Sequence, residues 1–282
     1  MKPWPIVGAV VYGFALMGCA GIEAPGERRG FGSQVGLPSS WHQVGVAARQ
    51  AALQPAVLWP LAGSAVVGLS GWDDDITDWA SEEQPLFGSN AAKVSDVLVD
   101  VATAGVLLSG ALAPADTTGD RLRGLGIEAS AVLIAGGVTE GLKSITRRER
   151  PNGRGRNSLP SGHATRVAAS SRFWQANLAH YSFGAPVERV SGVVLNTLSY
   201  ATAWARVEAN VHHPSDVLLG IAIGNFVAEF LRLSLLEGKS SRVTVGTNAA
   251  AAEGLAVEMV PRGAVLRFRH SLGGRAQPKV WR

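Results

Sequence analysis

The sequence predicts an all-α fold: a helical bundle that carries a small β-hairpin appendage at its C-terminus. Apolar segments of helical length recur between residues 46 and 236. Alanine and glycine are abundant, with 34 glycines in 282 residues, and small residues let helices pack closely. Mean hydropathy is +0.15, and 17% of the residues are charged, which lies between a soluble domain and a multispanning membrane protein.

Six apolar segments define the predicted helices: 46–69, 94–112, 122–145, 164–180, 190–205 and 215–236. Within them stand Asp100, Glu128, Glu140, Asn225 and Glu229. A charge at the centre of a lipid-facing helix costs at least about 2–3 kcal/mol, so these side chains are expected to face the bundle interior or solvent. Periodicity does not separate a soluble bundle from a membrane-embedded one, and we expect a soluble bundle tethered by lipid.

The N-terminus predicts export. Residues 1–19 combine the basic Lys2, a short apolar core and a small residue before the boundary, as a signal peptide does. The chain has one cysteine, Cys19, and the run that ends there resembles the lipobox of bacterial lipoproteins, which predicts lipidation. Ala20 resembles a signal for outer-membrane sorting. The alternative is an uncleaved anchor helix with an incidental cysteine. Residues 20–40, rich in Gly, Pro and Ser, predict a flexible tether.

Two further segments lie outside the predicted helices. Residues 72–79 hold four aspartates, but they lack the glycine and the glutamate of a calcium loop. We interpret them as an acidic loop with helix-capping residues and predict no metal site. Residues 239–282 alternate apolar and polar side chains around a turn at 261–263, which predicts a β-rich tail to the helical domain 41–238.

Positive charge is concentrated in one place. The net charge is only +4, too small to indicate nucleic-acid binding, yet residues 143–156 hold six basic residues and one acid, Glu149. Lys143 and Arg150 lie at the end of a long predicted helix, which Pro151 is expected to stop. They offer a point charge and a two-pronged fork, both suited to phosphate oxygens.

A second block places a protonatable group at a helix N-terminus. Ser161 follows a proline and is a natural N-cap, and Gly162 allows close approach of the backbone. His163 then lies in the first helical turn. A phosphate bound there would meet backbone amides, a hydroxyl and an imidazole.

The third block runs from Arg206 to Asp216. Pro214 fits the first position of a helix, so His212 lies at the helix start, where the backbone N–H groups favour an anion. Asp216 stands four residues later and can accept a hydrogen bond from one imidazole nitrogen of His212. The other nitrogen would then be free to attack.

The three blocks resemble the signature of the type 2 phosphatidic acid phosphatase superfamily, which also includes bacterial acid phosphatases and vanadium haloperoxidases. The matching residues are Lys143…Arg150-Pro151, Pro160-Ser161-Gly162-His163 and Arg206…His212…Asp216. All spacings agree, over roughly residues 94–236. The chain departs from the signature at Ala205, where the family has serine, which affects one peripheral hydrogen bond.

The resemblance implies a helical bundle of this type and a role for each residue. His212 would be the nucleophile that forms a phosphohistidine, Asp216 would orient it, and His163 would be the general acid. The phosphoryl oxygens would be bound by Lys143, Arg150, Arg206, Ser161 and the Gly162 amide. Neighbouring candidates for substrate selection are Arg154, Arg156 and His213.

The expected function is therefore a metal-independent phosphatase without a cofactor. Its substrate would be a phosphomonoester or pyrophosphate, preferably of a lipid, at the periplasmic side of a bacterial envelope. Two alternatives stay open, a vanadate-dependent haloperoxidase and a non-specific acid phosphatase on soluble phosphomonoesters. A third is an envelope lipoprotein that only binds anionic lipid through its basic residues. Phosphatidate, phosphatidylglycerophosphate, polyprenyl pyrophosphate and lipid A present the same group to the site.

Overall fold

The computed structural model describes residues 30–181 and 183–236, together with two later strands. The chain divides into two units, Met1–Gly238 and Lys239–Arg282, each of which is described by itself. The predicted signal peptide 1–19, with Cys19, and residues 20–29 of the predicted tether lie outside the described residues.

Eight α-helices make up most of the described part of the first unit. They are α1 (Trp41–Ala52), α2 (Pro55–Ser70), α3 (Trp72–Glu83), α4 (Ala91–Leu112), α5 (Thr118–Thr146), α6 (Gly162–Leu178), α7 (Ala185–Glu208) and α8 (Pro214–Leu231). Short 3₁₀ turns at Gly88–Asn90 and Ala179–Tyr181 and a π-helical turn at Arg232–Leu236 extend α4, α6 and α8. The prediction of a helical bundle is confirmed.

Two predicted boundaries differ from the structure. The first apolar segment is two helices, because the chain breaks before Pro55, which begins α2. The acidic residues expected in a loop form α3. Gly71, with φ of 79°, ends α2 and begins α3, a left-handed conformation that favours glycine. Asp73 and its two acidic neighbours fall in the first turn of α3, where negative charge complements the helix dipole.

The α6 and α8 helices pack closely because α8 presents glycines to α6. A Cβ on Gly224 would lie 2.3 Å from the backbone oxygen of Thr165, and one on Gly220 would lie 2.6 Å from that of Ser161. The two glycines are four residues apart, a spacing that brings helix backbones together. This contact sets the distance between the helix starts that hold the second and third sequence blocks.

Polar residues of the apolar helices face the bundle interior or are exposed, as expected. Glu229 is 2% exposed and pairs with Arg172 and Arg232. Asn225 donates from Nδ2 to the carbonyl of Ala56 at 2.7 Å. Glu128 is 1% exposed. Each of these side chains is kept away from the outer surface of the bundle.

Among the residues that the structure describes, three helical stretches have the length and composition of membrane spans: Gly88–Leu112, Thr118–Thr146 and Pro214–Leu236. The pair α1 and α2, bent by 61°, also meets these criteria when it is taken as one broken span. This pattern fits membrane association, whereas the sequence favoured a soluble bundle.

The outer surface of the bundle supports the same conclusion. Large apolar side chains are exposed along α2, α4, α5 and α7, among them Leu69 at 88%, Leu108 at 61%, Leu133 at 75% and Val190 at 64%. Soluble monomers rarely expose apolar surface on this scale. The interior, by contrast, is built largely from alanine.

The first described residues are not a free linker, as residues 20–40 were expected to be. Phe31 is 2% exposed and packs where a side chain on Gly124 would otherwise lie. Its backbone N–H donates to the carbonyl of Pro114 at 2.7 Å, and that of Gly36 donates to Leu235 at 3.0 Å. The chain therefore joins the bundle at the end where α4 and α8 finish.

In the second unit the structure describes the backbone of two strands, β1 (Glu253–Val260) and β2 (Gly263–His270). They pair antiparallel, with Glu253 opposite His270 and Val260 opposite Gly263. The remainder of the predicted tail 239–282 lies outside the described residues, and the hairpin as a folded appendage stays a prediction.

We expect Gly224→Ala to destabilise the bundle, because the added methyl group must push apart two backbones that are in contact. Overpacking of this kind costs about 1–3 kcal/mol, which corresponds to about 3–10 °C in Tm. Thermal unfolding of the purified protein in detergent measures it. Gly126→Ala is the matched control, because nothing lies within 4 Å of its Cβ position. An unchanged Tm for Gly224→Ala would contradict the close packing.

Candidate active site

The three sequence blocks meet at one end of the bundle. Lys143 lies in the last turn of α5, Ser161 occupies the N-cap position of α6, and Arg206 lies in the last turn of α7. The N–H of Ser161 donates to the backbone oxygen of Asp216 in α8 at 3.0 Å. A Cβ on Gly162 would lie 3.5 Å from Nζ of Lys143. Residues more than 60 positions apart thus line one site.

His212 is hydrogen-bonded to a backbone carbonyl, and the carboxylate expected from the sequence lies farther from the ring. Its Nδ1 lies 2.8 Å from the oxygen of Ser158 and 3.8 Å from Oδ2 of Asp216. A carbonyl only accepts hydrogen bonds, so Nδ1 carries the proton and Nε2 has a free lone pair. Burial lowers the pKa of His212 below its usual value, which favours the neutral form.

Asp216 uses its oxygens elsewhere. One oxygen accepts from the hydroxyl of Ser158 and, at 2.9 Å, from the backbone N–H of His213. The other accepts from Nη1 of Arg148 at 2.8 Å. Pro214 occupies the first position of α8, as predicted. The carboxylate therefore fixes the helix start and the 147–160 loop around His212, and it acts on the imidazole through the Ser158 backbone.

Two residues that the sequence analysis missed complete this network. Arg148 donates from Nη2 to Asp73 of α3 at 2.9 Å. Asp73 also accepts from both the backbone N–H and the hydroxyl of Ser215. Burial alone would lower the pKa of Arg148, but Asp216 and Asp73 raise it by stabilising the cation. Arg148 is one of several arginines in the basic run, so spacing alone did not identify it. Asp73 was interpreted as a helix-capping residue.

His163 also has a carboxylate partner that the sequence did not reveal. Its Nε2 lies 2.8 Å from Oδ1 of Asp96, near the start of α4. The pKa of His163 is lowered to about 4, mainly by burial and secondly by the charge of Arg206, while Asp96 acts in the opposite direction. Arg206 lies 3.8 Å from the same carboxylate and donates to Ser95 at 3.0 Å. Asp96 thus supports the protonated imidazole.

Several buried polar atoms at this end of the bundle have no hydrogen-bond partner among the described residues. They are Oγ of Ser161, Nε of Arg150 and Nε of Arg206. Buried donors without partners are rare in proteins and call for an explanation. The hydroxyl of Ser161 does not cap its own helix, although the residue occupies the N-cap position. An oxyanion bound among these groups would satisfy them.

Lys143 is held by a partner that a substrate could replace. Its Nζ lies 2.7 Å from Oε1 of Glu140, and the side chains are 11% and 69% exposed. An ion pair with so exposed a carboxylate contributes little. We therefore expect a phosphate dianion to compete successfully with Glu140 for the ammonium group.

The loop after α5 begins earlier than predicted. The helix ends at Thr146 because Arg147 adopts φ of 45°, so Pro151 does not stop it. The backbone of Arg150 donates to Gly155 and that of Ser158 to Arg148, each at 3.0 Å. These bonds fold the loop back and carry Arg150 and Ser158 to the site.

No group of three or more His, Cys, Asp or Glu side chains within the described residues is placed to hold a metal ion. The aspartates of α3 have different partners instead. Asp73 enters the buried network, whereas Asp74 is exposed and lies 3.3 Å from His213.

Residues 125–237 match the model of the PAP2 superfamily. Over 104 residues the chain is 35% identical to the lipid A 1-phosphatase of Porphyromonas gingivalis. The match covers 36% of this chain and 22% of that protein.

The helical structure is also similar to the crystal structure of a transmembrane PAP2-type phosphatidylglycerolphosphate phosphatase from Bacillus subtilis. The TM-score is 0.45 at 19% identity, and the alignment covers 63% of this chain and 92% of that chain.

We expect Arg148→Gln to lower kcat about 10–100-fold, because it leaves two buried carboxylates without their shared cation. Asp73→Asn removes one of those carboxylates. The double variant should therefore lose less stability than the sum of the two single variants, a coupling that thermal unfolding measures. Arg154→Gln is the matched control in the same loop. Strict additivity would show that the network does not act as a unit.

We expect Asp96→Asn to impair proton donation by His163. The carboxylate raises the pKa of the imidazole, so its removal lowers that pKa and shifts the descending limb of the kcat–pH profile to lower pH. A substrate with a good leaving group, p-nitrophenyl phosphate, should be affected less than an alkyl phosphate. Equal losses on both substrates would contradict this role.

Proposed function

The chain belongs to the PAP2 superfamily, and on that premise we propose that it is a metal-independent phosphatase acting through a phosphohistidine. One observation carries the proposal. Buried, unpartnered donors of Ser161, Arg150 and Arg206 lie at the end of the bundle that holds an imidazole with its lone pair on Nε2. Phosphoryl transfer needs this combination of positioning and fixed positive charge.

In the first step, Nε2 of His212 attacks phosphorus while the bond to the leaving oxygen breaks. His163 donates a proton to that oxygen, so the alcohol departs neutral. Lys143, Arg150 and Arg206 stabilise charge on the three equatorial oxygens, and the Ser161 hydroxyl and Gly162 amide donate hydrogen bonds to them. The product is a phosphohistidine, with the new positive charge on the His212 ring balanced by Asp216 through the buried network.

In the second step, His163 is neutral and acts as a base. It accepts a proton from a water molecule, whose oxygen attacks phosphorus as the bond to Nε2 of His212 breaks. Inorganic phosphate is released, and both histidines return to their starting states. A pKa of about 4 keeps His163 neutral near pH 7, as this half of the cycle requires. The negative charge of a bound phosphomonoester raises that pKa for the first half.

We propose a lipid phosphate as the substrate. Apolar side chains are exposed along four helices, and three stretches have the composition of membrane spans, so the site lies where lipid headgroups are concentrated. The similarity to a lipid A 1-phosphatase supports the same class. A soluble ester would make no use of this surface.

We propose a place at the bacterial cell envelope, with the site facing the periplasm. The signal-like residues 1–19 and the lipobox-like run that ends at Cys19 support export and a lipid anchor, with sorting to the outer membrane favoured by Ala20.

We expect His212→Ala to lose about a thousandfold or more in phosphate release, because the covalent route is removed. Wild-type activity should persist in EDTA, and rapid acid-free quenching with ³²P-labelled substrate should trap an acid-labile phosphoenzyme. His42→Ala, an exposed histidine on α1, is the matched control. Full activity of His212→Ala would contradict the mechanism. Halide oxidation with vanadate and peroxide would instead indicate a haloperoxidase.

A further inference from the structure

A cavity lies beside the proposed phosphoryl site. It is open, has a volume of about 410 Å³ and shares Lys143 with that site. Its lining consists of Glu140, Lys143, Ser144, Arg147, Arg156 and Asn157. None of the proposed catalytic residues on α6 or α8 lines it.

The cavity carries positive charge that the protein does not neutralise. Lys143 pairs with Glu140, which leaves two arginines. Arg147 donates from Nε to the carbonyl of Ser144 at 3.2 Å, and within the described residues neither Arg147 nor Arg156 forms an ion pair with a carboxylate. Two guanidinium groups in one cavity are suited to a phosphate or a similar acid.

Both arginines are attached to backbone that is held in place. Arg147 is the C-cap of α5 in the left-handed conformation, and its N–H donates to the carbonyl of Lys143 at 3.0 Å. Arg156 stands between two anchored positions, since Gly155 accepts from Arg150 and Ser158 donates to Arg148. An ordered backbone reduces the entropy lost when a ligand binds.

The structure separates the three residues that the sequence suggested for substrate selection. Arg156 lines the cavity. Arg154 lies in the same loop but not in the lining, and His213 is buried and committed to Asp216 and Asp74. Of these three residues, Arg156 is the one that the cavity makes a candidate for contact with the substrate.

We propose that this cavity is a second anion subsite, which binds an additional acidic group on the alcohol part of the substrate. The inference rests on the proposed function, since the scissile phosphate must occupy the adjacent site. Lys143 lines the cavity and is also a proposed ligand of the scissile phosphate. The preferred substrate is then a lipid phosphate that carries a second phosphate or phosphodiester close to the one that is hydrolysed.

The test compares two lipids that differ in this group. Phosphatidylglycerol phosphate has a phosphodiester beside its terminal phosphate, whereas phosphatidate has the terminal phosphate alone. In micelles of neutral detergent, we expect the wild-type KM to be about tenfold lower for the first lipid. In the double variant Arg147→Gln/Arg156→Gln the two KM values should become equal, with KM for phosphatidate and both kcat values little changed.

Arg154→Gln is the matched control and should keep the tenfold preference. Turnover of phosphatidate reports the proposed function, and the ratio of the KM values reports the subsite. Equal wild-type KM values, or a preference that survives in the double variant, would overturn the subsite. If neither lipid is hydrolysed, calorimetry measures the Kd of their non-hydrolysable phosphonate analogues. The ratio of the two Kd values, in the wild type and in the same variants, then tests the subsite.

A neighbouring membrane lipid could supply the same chemistry. Added phosphatidylglycerol would then stimulate phosphatidate turnover in the wild type but not in the double variant, and the two substrates would not differ in neutral micelles. That outcome would assign the cavity to a lipid headgroup and overturn the proposal.

Discussion

The site depends on the compensation of buried charge around Asp216. A carboxylate without partners in this position would be costly, and the fold surrounds it with donors from the start of α8 and from the 147–160 loop, whose Arg148 also donates to Asp73 of α3. The same bonds place the carbonyl of Ser158 against His212. The same hydrogen bonds therefore compensate the buried charge and orient the proposed nucleophile, and Asp73 takes part in both through Arg148.

Close helix packing provides the frame for this network. The backbone of Ser161 contacts Gly220 of α8 and donates to Asp216, so the starts of α6 and α8 are fixed relative to each other. A larger residue at Gly220 would move the Ser161 hydroxyl and the Gly162 amide away from His212. Small residues in apolar helices thus act on chemistry as well as stability, because they determine how near two helix N-termini can come.

Residues that belong to local patterns could be predicted from the sequence, and residues that reach the site from elsewhere could not. Helix ends and spacing identified Lys143, His163 and His212. Asp73 and Asp96 stand on α3 and α4, and no pattern links them to the histidines. The contact of His212 with Asp216 was expected to be direct, but the carboxylate also caps α8, and this geometry turns it towards the backbone of His213. Ser158 contacts His212 through its backbone carbonyl, so the residue type in the sequence does not indicate this contact.

The fold also limits how the protein can sit in an envelope. Gly36 bonds to Leu235, at the end of the bundle opposite His212. If the candidate spans cross a bilayer, this segment and the site face opposite sides, since each span runs from one end to the other. A lipid on Cys19 and a periplasmic site can then coexist only in a bundle that does not cross. With a crossing bundle and a periplasmic site, Gly36 would face the cytoplasm, which conflicts with the proposed anchor at Cys19. The proposed lipid anchor at Cys19 and the proposed periplasmic site therefore constrain each other.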